Sequence, residues 1–208
     1  MSRRRYNWDE AVTHLRARCD HLAAFIDGFG PRKLPIRREG SLFSALARAI
    51  AYQQLSGKAA GTIHGRFLQL FPGQLPTAEL TVRMPPETLR AVGLSRAKAL
   101  SILDLAERSL AGALPTTRKM SSMSDDEIIA GLCAVRGIGP WTAQMYLIFN
   151  LGRPDVMPAT DLGVQKGVQN IYRIRQLPDL AIVERKTRHL APFRSVASWY
   201  FWRASELP

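Results

Sequence analysis

An all-α fold is what this sequence predicts, and three observations predict it. Apolar residues recur at helical spacing along nearly the whole chain, alternating strand patterns are almost absent, and helix start and stop signals punctuate the periodic runs. With 208 residues, 46% of them hydrophobic, the chain can bury a core as one domain or as two small lobes.

The elements follow in order. A first helix is expected to start at Asn7, with Glu10 placed as in a capping box, and to stop near Gly28 and Gly30. The connector PRKLPIRREG leads into SLFSALARAIAYQQLSGKAAGTIHGRFLQLF, where helical spacing is broken by Gln53-Gln54-Leu55-Ser56. On its residues alone, that break is an interhelical turn. PPETLRAVGL reads as a short helix, and Ser95 caps a longer one in SRAKALSILDLAERSLAG. Ser124 with Glu127 forms a capping box ahead of IIAGLCAV, and Pro140 suits the first position of a helix holding Trp141 to Asn150. A further helix starts after Pro158, and PFRSVASWYFWRAS closes the chain as an aromatic-rich helix. No internal repeat or low-complexity tract occurs.

Lys and Arg number 29 against 17 acidic residues, a formal charge of +12, which points to a polyanionic partner. No run of about 18 apolar residues occurs, and the polar opening MSRRRYNWDEAV lacks a signal core. The expectation is an intracellular protein with no membrane partner, cytoplasmic or at the nucleoid if bacterial. Cys19 and Cys133 are too few for a disulfide framework, a four-cysteine zinc site or an iron–sulfur cluster. His14 and His21 share a face of the first helix and match no metal motif; with His64 and His189 they read as surface or partly buried residues. Arg3 to Arg5 read either as DNA contacts or as a solvated end.

The most informative stretch is LCAVRGIGPWTAQMYLIFN, Leu132 to Asn150. A helix ending near Val135, the turn Arg136-Gly137-Ile138-Gly139 and a helix starting at Pro140 make a helix–hairpin–helix. Glycines at 137 and 139 permit positive φ and a close backbone approach, so their N–H groups can face outward beside a helix N-terminus that favours an anion. Ile138 would point inward and pin the turn. A GxG alone is weak; no strand precedes it and no Gly-Lys-Ser/Thr follows, which argues against a nucleotide loop. In a chain of this charge the full pattern reads as a sequence-independent clamp on the DNA backbone.

LCAVRGIGPWTAQMYLIFNLGRPDVMPATDLGVQKGV resembles the core of the helix–hairpin–helix DNA glycosylases, in particular the 3-methyladenine DNA glycosylase II family. ARAIAYQQLSGKAAGTIHGRF, AVGLSRAKALSILDLAE and PFRSVASWYFW are similar to other segments of that family. The resemblance implies two all-α lobes with the active cleft between them. Residues 42–153 would form the central lobe, and 1–41 with 154–208 the second. Larger relatives carry an N-terminal β-domain, so this chain is expected to be a minimal form.

The implied reaction is base-excision repair: hydrolysis of the N-glycosidic bond of an alkylated purine flipped from duplex DNA. Candidate lesions are 3-methyladenine, 7-methylguanine, hypoxanthine, 1-methyladenine and ethenoadenine. The family's catalytic aspartate matches Asp161. A cationic N-methylated purine already leaves well; what develops is positive charge on the sugar, which a preorganised carboxylate stabilises. On local sequence alone Asp161, or Thr160, reads first as an ordinary N-cap, and Asp155 as a solvent-facing or structural carboxylate. Bifunctional relatives keep a Schiff-base lysine two residues after the second hairpin glycine; Trp141 stands there, so a monofunctional enzyme using water is implied. Lys166 lies near Asp161 in sequence but should point elsewhere.

Trp141 and Trp202 match pocket-lining rings that would attract a cationic base, with Met145 where some relatives have tyrosine; as tryptophans they also fit a core. Gln54, Leu55 and Ser56 match the family's wedge loop, and DNA contact carries over to Arg136, Gly137, Gly139 and Thr142. The resemblance further implies a structural Na+ or K+ on the hairpin carbonyls of Cys133, Val135 and Ile138, no cofactor for catalysis, and a monomer acting on double-stranded DNA. The competing reading is a non-catalytic helix–hairpin–helix module that grips DNA for a partner.

Overall fold

The computed structural model describes residues 6–30, 32–37 and 40–206. Arg3 to Arg5 lie outside the described residues. Every regular element among the described residues is helical, and no helix there is long and apolar enough to cross a membrane.

The first predicted helix is two. α1 (Trp8–Arg18) starts at Asn7, whose side chain accepts from the Asp9 and Glu10 N–H groups; α2 (Asp20–Phe29) ends at Gly30, φ 86°. The break is Cys19, extended at φ −153°, ψ 106°. Periodicity hides it, because the buried positions Trp8, Ala11, Leu15, Leu22 and Ile26 keep one helical stripe across the corner. His14 and His21 therefore sit on different helices. His14 Nε2 pairs with the Ala191 carbonyl at 2.8 Å, and His21 lies against the Tyr172 ring.

α3 (Leu42–Tyr52) and α4 (Gly57–Leu68) flank the predicted break, each with a serine N-cap, Ser41 and Ser56. Two short helices follow, α5 (Ala78–Thr81) and α6 (Pro86–Ala91), then α7 (Arg96–Leu110), which Ser95 caps. α7 buries Ala99, Ile102, Leu105 and Ala106 and packs on α3, which buries Phe43, Leu46, Ala47 and Ile50. The one-turn α8 (Thr117–Met120) precedes α9 (Asp125–Cys133), where the Ser124–Glu127 capping box is complete. α10 spans only Pro140–Tyr146; the predicted continuation to Asn150 is a π-helical turn, Leu147–Leu151. α11 (Leu162–Tyr172), α12 (Leu180–Thr187) and α13 (Arg194–Ala204) complete the chain.

The helices group into two compact units, Glu39–Tyr146 and the pair of ends Met1–Arg38 with Leu147–Pro208. The division after Tyr146 falls earlier than the expected boundary at residue 153. The cause is local. The π turn makes its bonds within the end unit: the Arg37 N–H donates to the Phe149 carbonyl at 2.7 Å, and Phe149 stacks on Trp202 with ring centroids 5.5 Å apart. In that unit α11 and α13 cross closely at Gly167, where a Cβ would overlap the Phe201 backbone carbonyl.

Candidate functional site

In the end unit the site is built at the start of α11. Asp161 is the N-cap residue, and its Oδ1 accepts from the Val164 N–H at 2.9 Å. The same oxygen accepts from the Trp202 indole N–H at 2.8 Å. The cap geometry that ends the loop orients the carboxylate, and the indole of α13 holds the same oxygen.

That closeness explains Gly163. A Cβ at this position would lie 2.8 Å from Trp202 Cδ1 and 3.1 Å from Asp161 Oδ1, so any side chain would push the indole off the carboxylate. Trp202 stacks at 24° on Phe149, and the Arg37 guanidinium lies 5.0 Å from the far ring's centroid. Trp202 thus touches Asp161 directly and is itself held by Phe149. Phe149, Gly163 and Arg37 were not singled out from sequence; Phe149 is carried into place by the π turn, a feature with no periodic signature.

Asp155 takes the structural role expected of it. Its two oxygens accept from Arg194 Nε and a terminal guanidinium nitrogen, each at 2.7 Å, and Oδ1 also accepts the Arg194 backbone N–H at 3.2 Å. This bidentate pair ties the loop before Asp161 to the first residue of α13, and it holds the Arg194 guanidinium above its ordinary pKa. Lys166 is exposed on α11, five residues beyond Asp161.

In the Glu39–Tyr146 unit, the hairpin joins α9 to α10. Gly137 is at φ 75°, and the Ile138 N–H closes the turn on the Val135 carbonyl at 3.1 Å. Ile138 is 4% exposed and pins the turn inward, as expected. The two glycines differ. A Cβ at Gly139 meets nothing within 4 Å, whereas one at Gly137 would lie 2.5 Å from Ser101 Oγ. Gly137 is glycine because α7 packs against it and because its φ is positive. Both glycines still reach the surface, Gly137 exposed and Gly139 half-buried, and Gly139 alone of the two has room for a side chain.

Arg136 is exposed, and its backbone N–H donates to Asp104 Oδ2 at 2.8 Å. Thr142 is corrected: it is 5% exposed and its hydroxyl accepts from Gln53 Nε2 at 3.3 Å, so its side chain serves the protein interior and not the surface. Third in α10, it falls on that helix's buried face with Ala143 and Tyr146. Trp141 is 42% exposed and Met145 half-buried.

The wedge candidates occupy the α3–α4 turn. Gln54 is exposed in the left-handed region at φ 55°, Leu55 is 41% exposed, and Ser56 Oγ accepts from the Ala59 N–H at 3.4 Å. Ser56 is thus the cap of α4, with Gln54 and Leu55 at the tip. Sequence reasoning passed over their supports. Gln53 Nε2 donates to the Gly137 carbonyl at 2.9 Å, and Lys98 Nζ donates to the carbonyls of Ala51 and Gln53 at 2.9 and 2.7 Å.

A glycine hairpin beside an exposed left-handed turn, in an all-helical chain with a helix-capping aspartate fixed by tryptophan, defines a helix–hairpin–helix base-excision protein. The chain belongs to the HhH-GPD superfamily of base excision DNA repair proteins, whose model matches residues 47–193. It is similar to DNA-3-methyladenine glycosylase 1 of Schizosaccharomyces pombe, at 37% identity over 89% of this chain and 81% of the relative. The solved structure of S. pombe 3-methyladenine DNA glycosylase in complex with abasic DNA matches with a TM-score of 0.88 and 35% identity, covering 95% and 97% of the two chains. A Bacillus halodurans DNA-3-methyladenine glycosidase matches with a TM-score of 0.84 and 34% identity, covering 94% of this chain and 89% of its own.

Proposed function

We propose that the protein is a monofunctional DNA-3-methyladenine glycosylase that hydrolyses the N-glycosidic bond of alkylated purines flipped from duplex DNA. The observation that carries this is the Asp161 carboxylate, held on one oxygen by the Val164 N–H and the Trp202 indole N–H. A pure DNA clamp needs neither. As the bond from the base nitrogen to C1′ breaks, its electron pair leaves with the purine and positive charge builds on the sugar. A carboxylate already fixed in place stabilises that charge without reorganising. Water then adds at C1′ and gives up a proton, leaving the free base and an abasic site.

Trp141, second residue of α10, stands where a Schiff-base nucleophile would be needed for strand cleavage, and an indole cannot form one. Together with Met145 it offers an apolar, electron-rich surface suited to a cationic base. Selection by charge and the weakness of the damaged glycosidic bond favours 3-methyladenine and admits 7-methylguanine and 1-methyladenine; hypoxanthine and ethenoadenine, which are neutral, are candidates by resemblance alone.

Gln54 and Leu55 fill the gap left by the flipped base, and the hairpin backbone at Gly137 and Gly139 with the exposed Arg136 grips phosphate. A structural Na+ or K+ fits the end of α9. Cys133 closes that helix at its negative dipole end, and the Val135 carbonyl, which accepts one N–H from Ile138, keeps a second lone pair for a ligand. With the Ile138 carbonyl these would hold the ion, which adds positive charge beside a phosphate.

The test is base release from single-lesion duplexes by the wild type and Asp161→Asn. The variant should be slower by on the order of 10^3-fold on every lesion the wild type accepts, with duplex affinity unchanged. Release as fast as wild type would reject the mechanism. Tight duplex binding by both proteins with no base released would establish the non-catalytic module.

A further inference from the structure

Four polar side chains line one face of α7. Lys98, Ser101, Asp104 and Arg108 recur at intervals of three, three and four residues, the spacing that stacks them along a single stripe of a helix. Each of the first three meets the backbone of the wedge turn or of the hairpin. Lys98 Nζ donates to the carbonyls of Ala51 and Gln53 at 2.9 and 2.7 Å. Ser101 packs against Gly137, and Asp104 Oδ2 accepts from the Arg136 N–H at 2.8 Å and from Arg108 Nε at 2.9 Å. Gln53 closes the circuit by donating to the Gly137 carbonyl at 2.9 Å and the Thr142 hydroxyl at 3.3 Å.

The Lys98 ammonium is half-buried, and burial pushes its pKa below the ordinary lysine value; the two carbonyls it touches solvate it in place of water. Those carbonyls sit at the C-terminal end of α3, where the helix dipole is negative. The Gln53 carbonyl also immediately precedes Gln54, whose left-handed φ of 55° is a conformation that persists only when its surroundings fix it.

We infer that Lys98 is a positioning residue for base flipping: with Gln53 it locks the wedge turn to the hairpin, so that insertion into the base stack and the grip on phosphate occur in one fixed register. The inference rests on the glycosylase reading. Its physical content is preorganisation. Opening the stack is unfavourable, and the inserted residues must offset that. A turn already held in its inserting shape loses no further conformational freedom when it enters, whereas a loose one does.

Two readouts test it. The first needs no chemistry: the fluorescence rise of 2-aminopurine beside an abasic-site analogue in duplex DNA, when the protein binds. The second is single-turnover excision of 3-methyladenine from two duplexes, one with the lesion paired and one with it bulged, where flipping is cheap. Lys98→Met should abolish most of the fluorescence rise and slow paired excision on the order of tenfold more than bulged excision. A wild-type fluorescence rise, or equal slowing on both duplexes, would overturn the inference. If the wild type excises neither lesion, the glycosylase reading fails while the fluorescence still decides the positioning role. Should Lys98→Met fail to fold, Gln53→Ala removes the other strut, and the same two outcomes decide.

Discussion

On the proposed glycosylase reading the two units work with different groups. In Glu39–Tyr146 the proposed surface is largely backbone: the glycine hairpin, the carbonyls that end α3 and α9, and a left-handed residue between two helices. In the end unit everything converges on one side chain, the Asp161 carboxylate, with Trp202, Phe149 and Arg37 layered behind it. Glycine takes opposite parts in the two. At Gly139 a side chain would meet nothing; at Gly163 and Gly167 the missing side chain lets an indole and a helix backbone come closer than any Cβ would allow. A site made of backbone depends on how neighbouring helices support it, whereas one made of a carboxylate depends on a few atoms fixed in place.

The sharpest way to break the second arrangement is Gly167→Ala. The added methyl overlaps the Phe201 carbonyl, which is backbone and cannot swing aside. The α11–α13 crossing must open, moving Trp202 from Asp161. We expect a loss of about 3 kcal/mol or more, read as a fall in the urea midpoint, together with loss of excision. A wild-type midpoint would show that the two helices have room to slide apart.

Trp202→Phe removes one hydrogen bond and keeps a ring against Phe149. A hydrogen bond to a charged group contributes about 1.5–3 kcal/mol, so single-turnover excision should slow by roughly 10- to 100-fold. Duplex affinity should hold, since no phosphate contact is touched. If affinity falls and the rate does not, the indole binds DNA and does not aim the carboxylate.

How much of this was legible follows from what leaves a mark on a sequence. Caps do: Asn7, Ser95, Ser124 and Pro140 each stand where a helix begins. The corner at Cys19 does not, because the apolar stripe runs on through it, and the π turn at Leu147–Leu151 adds one residue per turn without changing composition. Asp161 was marked as the candidate through family resemblance, since an N-cap aspartate is chemically ordinary in sequence; its Trp202 partner lies 41 residues later in the chain. Gln53 and Lys98 were missed because their partners are carbonyls, which every residue carries; only the 98–101–104–108 spacing hinted that this face of α7 had polar work. Gly137 and Gly139 look alike in sequence, and only the position of Ser101 separates them.

That last pair gives the finest test of the difference between the units. Gly137→Ala forces a side chain into φ 75° and against Ser101. The left-handed conformation alone costs about 1–2 kcal/mol, so thermal stability should drop and duplex affinity should fall with it, equally for damaged and undamaged DNA. Gly139→Ala meets nothing in the protein and should leave the melting midpoint at the wild-type value. Any loss it shows must therefore come from a methyl placed between the hairpin and phosphate. Gly139→Ala binding as wild type, with Gly137→Ala weakened only in proportion to its unfolding, would mean that the hairpin shapes the unit but does not grip the strand. An affinity loss for Gly139→Ala confined to damaged duplex would instead place position 139 beside the flipped base.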